Sequence, residues 1–515
     1  MLAAMALVLL LCLTLLGSLP ALFENARLWQ LKEWRWHRLH AHISENGWFR
    51  PLFGLPRTGL ALIALPLISL YGQVYPMTEV ALLLFAGTIA VPVLRRKQVG
   101  PVWTQKAIVT VGIALLLTAS AAWLVLSTAP WLVARHILIG IAFFQPLFLG
   151  GSWFLLQPLD RMLKQRRFAR ARTLRVSLPD LNVIAITGSV GKTTTKELLQ
   201  HLLRERNAVA TPAFVNSELG VTDWFIKTCS KTSPPAIAVV EVGAYRAGEI
   251  ALVCSIIQPT MSVVTYIGKQ HLALFGSEEK LLEAKAEIVS ALKPDGHLFL
   301  NADNERSASL SARSPCPVTT VGTVHGNRRA QDLEETRDGL RFTLDTVRFD
   351  VPLHGTHNIS NILLAVAVAE KLGLPLTECA ERLRKFSPPR QTFTVRQERG
   401  CTVLDDTHNS SPHSFQAAIE WARTQPNDHK VLLCSGLIEL GEEHDRVHIE
   451  LGQLCTPVFE RIICTSGRSG RAIAEGYDRP VETPHPKLVP IVPGSLLVCE
   501  GRVPVTLIHQ LLPSL

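Results

Sequence analysis

Five apolar runs crowd the first 160 residues, near 2–23, 58–75, 78–94, 107–127 and 131–157, and each approaches the roughly 20 residues that cross a bilayer as a helix. In hydrocarbon the backbone amides must pair within their own segment, which leaves such runs little choice but helix. The pattern predicts an α-helical membrane domain over 1–160 with about five spans, the short second and third forming a tilted or re-entrant hairpin. The first run lacks a basic start, and no small-residue cleavage site follows it, so it reads as a span and not as a removed leader. "LLLC" at Cys12 falls short of a lipoprotein box for the same missing basic start and for the leucine before the cysteine.

Charge separates the chain into the same two parts. Residues 1–180 hold 18 Lys/Arg against 6 Asp/Glu, and the remaining 335 hold 34 against 37. The basic excess belongs to the first third, and no nucleic-acid surface is expected on the rest. It also sits in alternate loops: six residues between Arg27 and Arg57, then Arg95, Arg96, Lys97 and Lys106, then seven in "RMLKQRRFARARTLR" (161–175), with none around 75–78 and 127–130. Basic loops favour the cytoplasmic side. That places the N-terminus outside, everything beyond residue 160 inside, and the protein as a multi-pass component of the cell (inner) membrane, with 161–180 as a basic juxtamembrane linker. "LWQLKEWRWHRLHAHI" (28–43) suits an interfacial helix with Trp29, Trp34 and Trp36 at headgroup depth. Arg135, in or near the fifth run, reads as snorkelling or paired and not as a transport residue, the runs holding no acid on this reading. Ten scattered cysteines without a CxxC pair fit a reduced setting and no zinc site.

At residue 181 the chain changes character. "LNVIAITG" (181–188) is a β-branched run of strand length, and "TTTKELLQHLLRE" (193–205) has helical periodicity. A strand, a glycine turn and a helix are the setting of a phosphate loop, although the usual first glycine is missing: Ile186 stands five positions before Gly191. Amides after Gly188 and at the helix start would cradle phosphate, Lys192 would reach the β- and γ-phosphates, and the Thr193 hydroxyl would hold Mg²⁺ beside Thr194. The competing reading is a chance Gly-Lys-Thr at a helix start. Further on, "AIAVVEVGA" reads as a buried strand ending in Glu241, where a carboxylate can hold Mg²⁺ next to the loop. The C-terminal "CTVLDDTHNSSP", "KVLLCSGLIELG" and "RIICTSG" repeat a strand-then-polar-turn pattern and predict another α/β unit.

The shortened loop resembles the [ST]GxxGK[ST][ST] form of the Mur ligases, ATP-dependent amide ligases of cell-wall peptide synthesis, and above all their members that add D-alanyl-D-alanine. The likeness extends in family order through "FVNSELGV", "VVEVGAYRAGEI", "IGKQHLALFGS", "EAKAEIV", "LNADN", "GTHNISN", "PPR", "DDTHNSSP" and "GLIELGEEHDRVH", covering 181 to about 510. It implies a central P-loop ATPase domain (181–388) and a C-terminal Rossmann-like α/β domain (389–515). By the same resemblance ATP and two Mg²⁺ ions are the cofactors. Lys192, Glu241, His271 and Lys285 are then catalytic, and Thr193, Glu241, His271 and Lys285 hold metal, Lys285 as a carbamate formed with CO₂. Gly188, Gly191, Asn301 at the adenine, Arg390 at the interdomain joint and Asp406 at the ribose complete the nucleotide site. Asn216, His408 and Asn409 face substrate.

The departures bear on the substrate. A UDP-sugar domain is expected before the loop and the membrane region stands there instead. Glu500-Gly501-Arg502 takes the place of a Lys-Gly-Ser stretch, and Tyr245-Arg246 that of Asn-His. The resulting expectation is a membrane-anchored carboxylate–amine ligase acting through an acyl phosphate, on an amino acid or dipeptide amine and a lipid-linked acceptor. A poly-γ-glutamate-type polymer ligase and a non-catalytic ATP-binding membrane scaffold are the alternatives.

Overall fold

The computed structural model describes all residues except 1, 91–92, 94–99, 214, 269–274, 337, 390, 408–409, 439, 486–487 and 514–515. The chain divides into two compact units, Met1–Gln165 and Arg166–Leu515.

The first unit is helical. Two helices, Ala4–Leu31 and Gln105–Thr128, are long and apolar enough to cross a membrane, or three if the bent pair Trp131–Phe143 and Gln145–Val176 is a single span. The second and third runs, expected to be short, form the shorter apolar helices Leu55–Tyr71 and Met77–Gly87. The fifth run is broken by 65°, and Pro146 explains the break, since its ring removes an amide donor and clashes with the preceding turn. The segment 28–43 is not one helix either. Its first helix ends at Leu31, Glu33 and Trp34 each adopt φ 56°, and a new helix begins at Trp36. Trp29 and Trp34 lie inside the protein, 3% and 8% exposed. Trp29 packs on Trp153 with ring centres 4.9 Å apart, and the Trp153 indole donates to Trp34 O at 2.8 Å. Only Trp36 of the three is exposed.

Arg135 is paired, and with an acid that lies inside the third apolar run. Its guanidinium reaches Glu79 and the Gly72 carbonyl, and Nε donates to Thr78 Oγ1 at 3.2 Å. Arg57 similarly meets Glu24 at 2.7 Å. Gln145 bridges two helices, donating to Ser18 Oγ at 3.1 Å and accepting from Thr118 Oγ1 at 3.3 Å. Buried polar groups in such a bundle persist only when partnered in this way.

Residues 161–176, expected as a linker, are the end of the helix Gln145–Val176. Phe168 and Ala171 enter the core of the second unit, and Arg175 donates to the Ile257 carbonyl at 2.8 Å. Arg167 pairs with Asp223 at 3.1 Å and Arg172 donates to Ser255 at 2.9 Å, so much of this basic segment is spent on its own unit.

The second unit holds two sheets. The first has nine strands: β1 (Asn182–Thr187), β2 (Ala208–Ala210), β3 (Ile237–Glu241), β4 (Met261–Val264), β5 (His297–Asn301), β6 (Val318–Gly322), β7 (Arg328–Thr336), β8 (Gly339–Leu344) and β9 (Val347–Val351). Their order is β2-β3-β1-β4-β5-β6-β7-β8-β9, parallel up to β7 and antiparallel in β7–β9. Successive side chains of a strand face opposite ways. Ile184 and Ile186 accordingly join the core under helices Lys192–Leu203 and Asn358–Lys371, while Val183 and Ala185 join the core under Glu218–Cys229, Glu249–Ile257 and Glu278–Ser290. Such two-sided burial suits parallel strands rich in Val and Ile. Each fully buried Leu or Ile contributes about 1.5–3 kcal/mol.

The second sheet has six strands: β10 (Thr394–Glu398), β11 (Cys401–Asp406), β12 (Lys430–Cys434), β13 (Arg461–Cys464), β14 (Val481–Glu482) and β15 (Leu496–Glu500). The order is β10-β11-β15-β12-β13-β14, with only β10 antiparallel.

Candidate active site

The turn between β1 and the helix Lys192–Leu203 is built from two glycines whose geometry no other residue meets. Gly188 has φ 149° and Gly191 φ 86°. A Cβ on Gly188 would collide with Thr265 Oγ1, and one on Gly191 with Asn361 Oδ1. Side chains tie the loop to the end of β4: Thr265 donates to Val190 O at 2.6 Å and Ser189 to Gly268 O at 3.1 Å. The helix N-terminus points its free amides into this turn, a setting that favours anions. Lys192 Nζ donates to the Gly188 and Ser189 carbonyls at 2.8 and 2.9 Å. Desolvation lowers its pKa, with Glu241 opposing.

Glu241 ends β3, in register with Ile186 of β1, and so stands beside the loop. The Thr193 hydroxyl donates to Glu241 Oε2 at 3.0 Å and the Asn216 amide to Oε1 at 3.3 Å. Lys196 Nζ lies 3.6 Å from the same carboxylate and its side chain is wholly buried. Lys285, on the helix Glu278–Ser290, is 3% exposed. Burial first, and then the like charge of Lys192, push its pKa down to about 7, while Glu287 and Glu249 pull it back. An amine so placed is half neutral near pH 7.

Two cavities flank the loop. The larger, about 640 Å³, is lined by Gly191, Asn301, His357, Asn361, Gln416 and Trp421, a volume ordinary for a ligand pocket. The smaller, about 250 Å³, is lined by Ser189, Arg306, Ser411 and Arg446. Tyr266 and His413 line both. Their rings are stacked, 4.2 Å apart and 12° from parallel, so one wall from each sheet meets between the chambers. Burial, then His413, hold His357 down to about 3, as a neutral ring.

The structure thus brings Gly188, Gly191, Lys192, Thr193, Asn216, Glu241 and Lys285 around one loop, with Thr194 in the same helical turn and Asn301 across the larger cavity. Asp406 is buried at the end of β11 and is not among the residues lining either cavity. His271, Arg390, His408 and Asn409 lie outside the described residues. Two residues join the site that sequence reasoning had not assigned. Lys196 sat among the apolar positions Leu199 and Leu203 at helical spacing, a lysine on a buried face. Asn361 stood one turn after Asn358, to which its amide now donates at 2.9 Å.

Residues 186–369 match the Mur ligase middle domain. The chain is 31% identical over 300 residues to the UDP-N-acetylmuramoyl-tripeptide–D-alanyl-D-alanine ligase of Bacillus subtilis, covering 57% of this chain and 64% of that protein. It is 29% identical over 344 residues to the same ligase of Escherichia coli, covering 63% and 75%. The match therefore spans just under two thirds of the length of the first of these relatives. The fold resembles the crystal structure of MurF from Acinetobacter baumannii, with TM-score 0.61, 25% identity and coverage of 68% of this chain and 80% of that one. It also resembles MurF from Thermotoga maritima solved in complex with ADP, with TM-score 0.60, 23% identity and coverage of 68% and 82%. The chain carries the middle domain of the Mur ligases and is a homologue of the UDP-N-acetylmuramoyl-tripeptide–D-alanyl-D-alanine ligases.

Proposed function

We propose that this protein is an ATP-dependent ligase of peptidoglycan synthesis that joins an amine to an acceptor carboxylate by way of an acyl phosphate. The observation that carries the reading is the Thr193–Glu241 hydrogen bond at the mouth of the Gly188–Gly191 turn, with two lysines, Lys192 and Lys285, close enough to influence one another. A hydroxyl and a carboxylate are hard oxygen donors of the kind Mg²⁺ takes beside nucleotide phosphates. Thr193 and Glu241 would hold it, and when bound it would offset charge on the transferred phosphoryl group. Lys192 would turn from the loop carbonyls to the phosphates, and the loop amides would fix their position. Asn301 and Asp406 are assigned to the nucleoside on resemblance, and the larger cavity is read as its place. Lys285 supports the carbamate: a neutral amine adds CO₂ and releases a proton, which leaves an anion where a cation would be repelled.

The same reading puts the chain in a membrane with its catalytic unit on the cytoplasmic side. Support comes from the two long apolar helices and from exposed Leu62, Ile63, Leu70, Leu116 and Phe154 in the first unit, side chains that a bilayer would cover. A lipid-linked acceptor is the finer proposal. The test is ADP release by the full chain in lipid, with acceptors that carry one peptide on either a lipid or a soluble nucleotide, and with amino acids or dipeptides as the amine. Release that needs both partners and is lost in Lys192→Ala supports the ligase. Release indifferent to any amine overturns it, and equal use of the soluble acceptor overturns the lipid-linked form.

A further inference from the structure

Lys196 stands one turn beyond Thr193 on the helix Lys192–Leu203, and residues three apart on a helix share a face. That face turns inward: Leu199 and Leu203 join the core with Ile184, Ile186 and Val239, and Lys196 has no exposed surface at all. Its ammonium ends 3.6 Å from Glu241 Oε2 and 3.3 Å from Glu197 Oε1. Neither contact is a hydrogen bond, so charge holds the head group there. The Glu197 side chain is 30% exposed and that of Glu241 only 6%. The buried partner is therefore the carboxylate beside the glycine turn.

Glu241 Oε2 is thus shared between the Thr193 hydroxyl at 3.0 Å and the Lys196 ammonium at 3.6 Å, while Oε1 takes the Asn216 amide at 3.3 Å. A divalent ion held by Thr193 and Glu241 would lie about 2 Å from such an oxygen. It would then stand roughly 5 Å from the ammonium, two cations on one carboxylate. Lys192 escapes that conflict, because its Nζ rests on the loop carbonyls of Gly188 and Ser189 and turns from them to phosphate. Lys196 does not. A wholly buried ammonium has no water to swing into, and leaving its carboxylate inside the protein would strand a charge.

We propose that Lys196 is a positioning residue that offsets the charge of Glu241, so that a divalent ion binds there only in company with nucleotide phosphates. The proposal rests on the reading of Thr193 and Glu241 as the Mg²⁺ site. A lone ion meets a carboxylate whose charge is already balanced and a second positive charge close behind it. An ion that arrives on phosphates brings its own counter-charge, and the free amides at the helix start take up the anionic surplus. Glu197 tunes the effect, since it offsets part of the lysine's charge from the more open side. Lys196 touches no reacting atom in this scheme and acts through Glu241 alone.

The test uses the full chain in detergent at one fixed pH, with Mn²⁺ alone as the probe and the paramagnetic resonance of the free ion as the readout, so that no turnover is involved. Lys196→Met keeps an unbranched side chain and removes the charge. Without nucleotide it should bind Mn²⁺ at least about tenfold more tightly than wild type, because a unit charge roughly 5 Å away opposes a divalent ion by that much even at the dielectric constant of water. Adding Glu241→Gln should abolish the gain. Glu197→Gln should move the other way and weaken binding by at least about twofold. A folded Lys196→Met that binds Mn²⁺ no more tightly than wild type overturns the proposal, and so does a gain that survives Glu241→Gln. Should melting show that Lys196→Met does not fold, Glu197→Gln decides, and an unchanged affinity there overturns the proposal. A wild-type chain that holds no Mn²⁺ even with ADP present overturns the metal reading and the role of Lys196 with it, whereas binding with ADP but no gain in Lys196→Met overturns that role alone.

Discussion

Thr193 Oγ1 and Glu241 Oε2 are 3.0 Å apart, although 47 residues of chain separate them. The parallel pairing of β1 with β3 brings them together, because it sets Ile186 opposite Glu241 and so fixes the carboxylate one turn from the glycine loop. Asn216 holds the same carboxylate from a second element, and Lys196, one turn further along the helix of Thr193, lies 3.6 Å from it. A group held from two elements keeps its geometry when a ligand arrives, which is what electrostatic catalysis requires.

Thr193→Val tests that arrangement with little change of volume. It removes one hydrogen bond, a loss of about 1 kcal/mol in stability. Mg²⁺-dependent ADP release should fall much further, on the order of 100-fold. Denaturant unfolding and turnover measured on the same preparation separate the two effects. A variant with unchanged turnover would remove Thr193 from the metal site.

Gly191→Ala should fail for steric reasons alone. Its φ is 86°, and the new methyl would strike Asn361 Oδ1, an atom that also receives the Thr195 hydroxyl at 3.4 Å. Strain of this kind costs about 1–3 kcal/mol, and ADP affinity should drop with it because the loop must shift. Gly467→Ala is the control, since its Cβ meets nothing within 4 Å, and it should leave both readings unchanged.

The catalytic half was legible where chemistry and local structure agree. A Val/Ile run into Gly-Ser-Val-Gly-Lys-Thr can be little other than a strand, a tight turn and a helix start, and the structure has all three. Lys196 escaped because a lysine in a polar Thr-Thr-Thr-Lys-Glu string looks solvated until the sheet is placed under it. Asn361 escaped because its role is steric and relayed, through a glycine 170 positions earlier. In the first unit hydropathy reported which residues avoid water, and it could not report where a helix breaks. Pro146 and the left-handed Glu33 and Trp34 decide that, and a tryptophan that packs on Trp153 gives the same hydropathy as one at a headgroup.

The Arg135–Glu79 pair gives a prediction for the first unit. Glu79→Gln leaves a buried guanidinium with Thr78, the Gly72 carbonyl and the face of Trp131 but no counter-charge, and breaking such a pair on one side costs about 3–5 kcal/mol. Replacing both, as Glu79→Met with Arg135→Met, should recover most of that loss. Thermal unfolding in detergent reads both variants. A Glu79→Gln chain as stable as wild type would mean the pair contributes nothing.

Lys285 carries the last prediction, and its sign follows from the direction of its shift. The amine titrates near pH 7 in the fold against 10.5 for an ordinary lysine. Between those values the unfolded chain binds a proton that the folded chain does not, so stability rises with pH across the window. Below about pH 7 both states are protonated and the penalty of the buried charge is complete. Lys285→Met removes the group and should flatten that slope, being more stable than wild type near pH 7 and losing the advantage towards pH 10.5. Bicarbonate supplies the second arm. CO₂ captured by the neutral amine binds only the folded state, so it should raise the wild-type melting temperature above pH 7 and leave Lys285→Met unmoved. A ¹³C-labelled carbamate signal present in wild type and absent from the variant would identify the adduct. Full ligase activity in Lys285→Met, with no bicarbonate effect on wild type, would remove the carbamate from the mechanism and leave Lys285 as a buried lysine beside the loop.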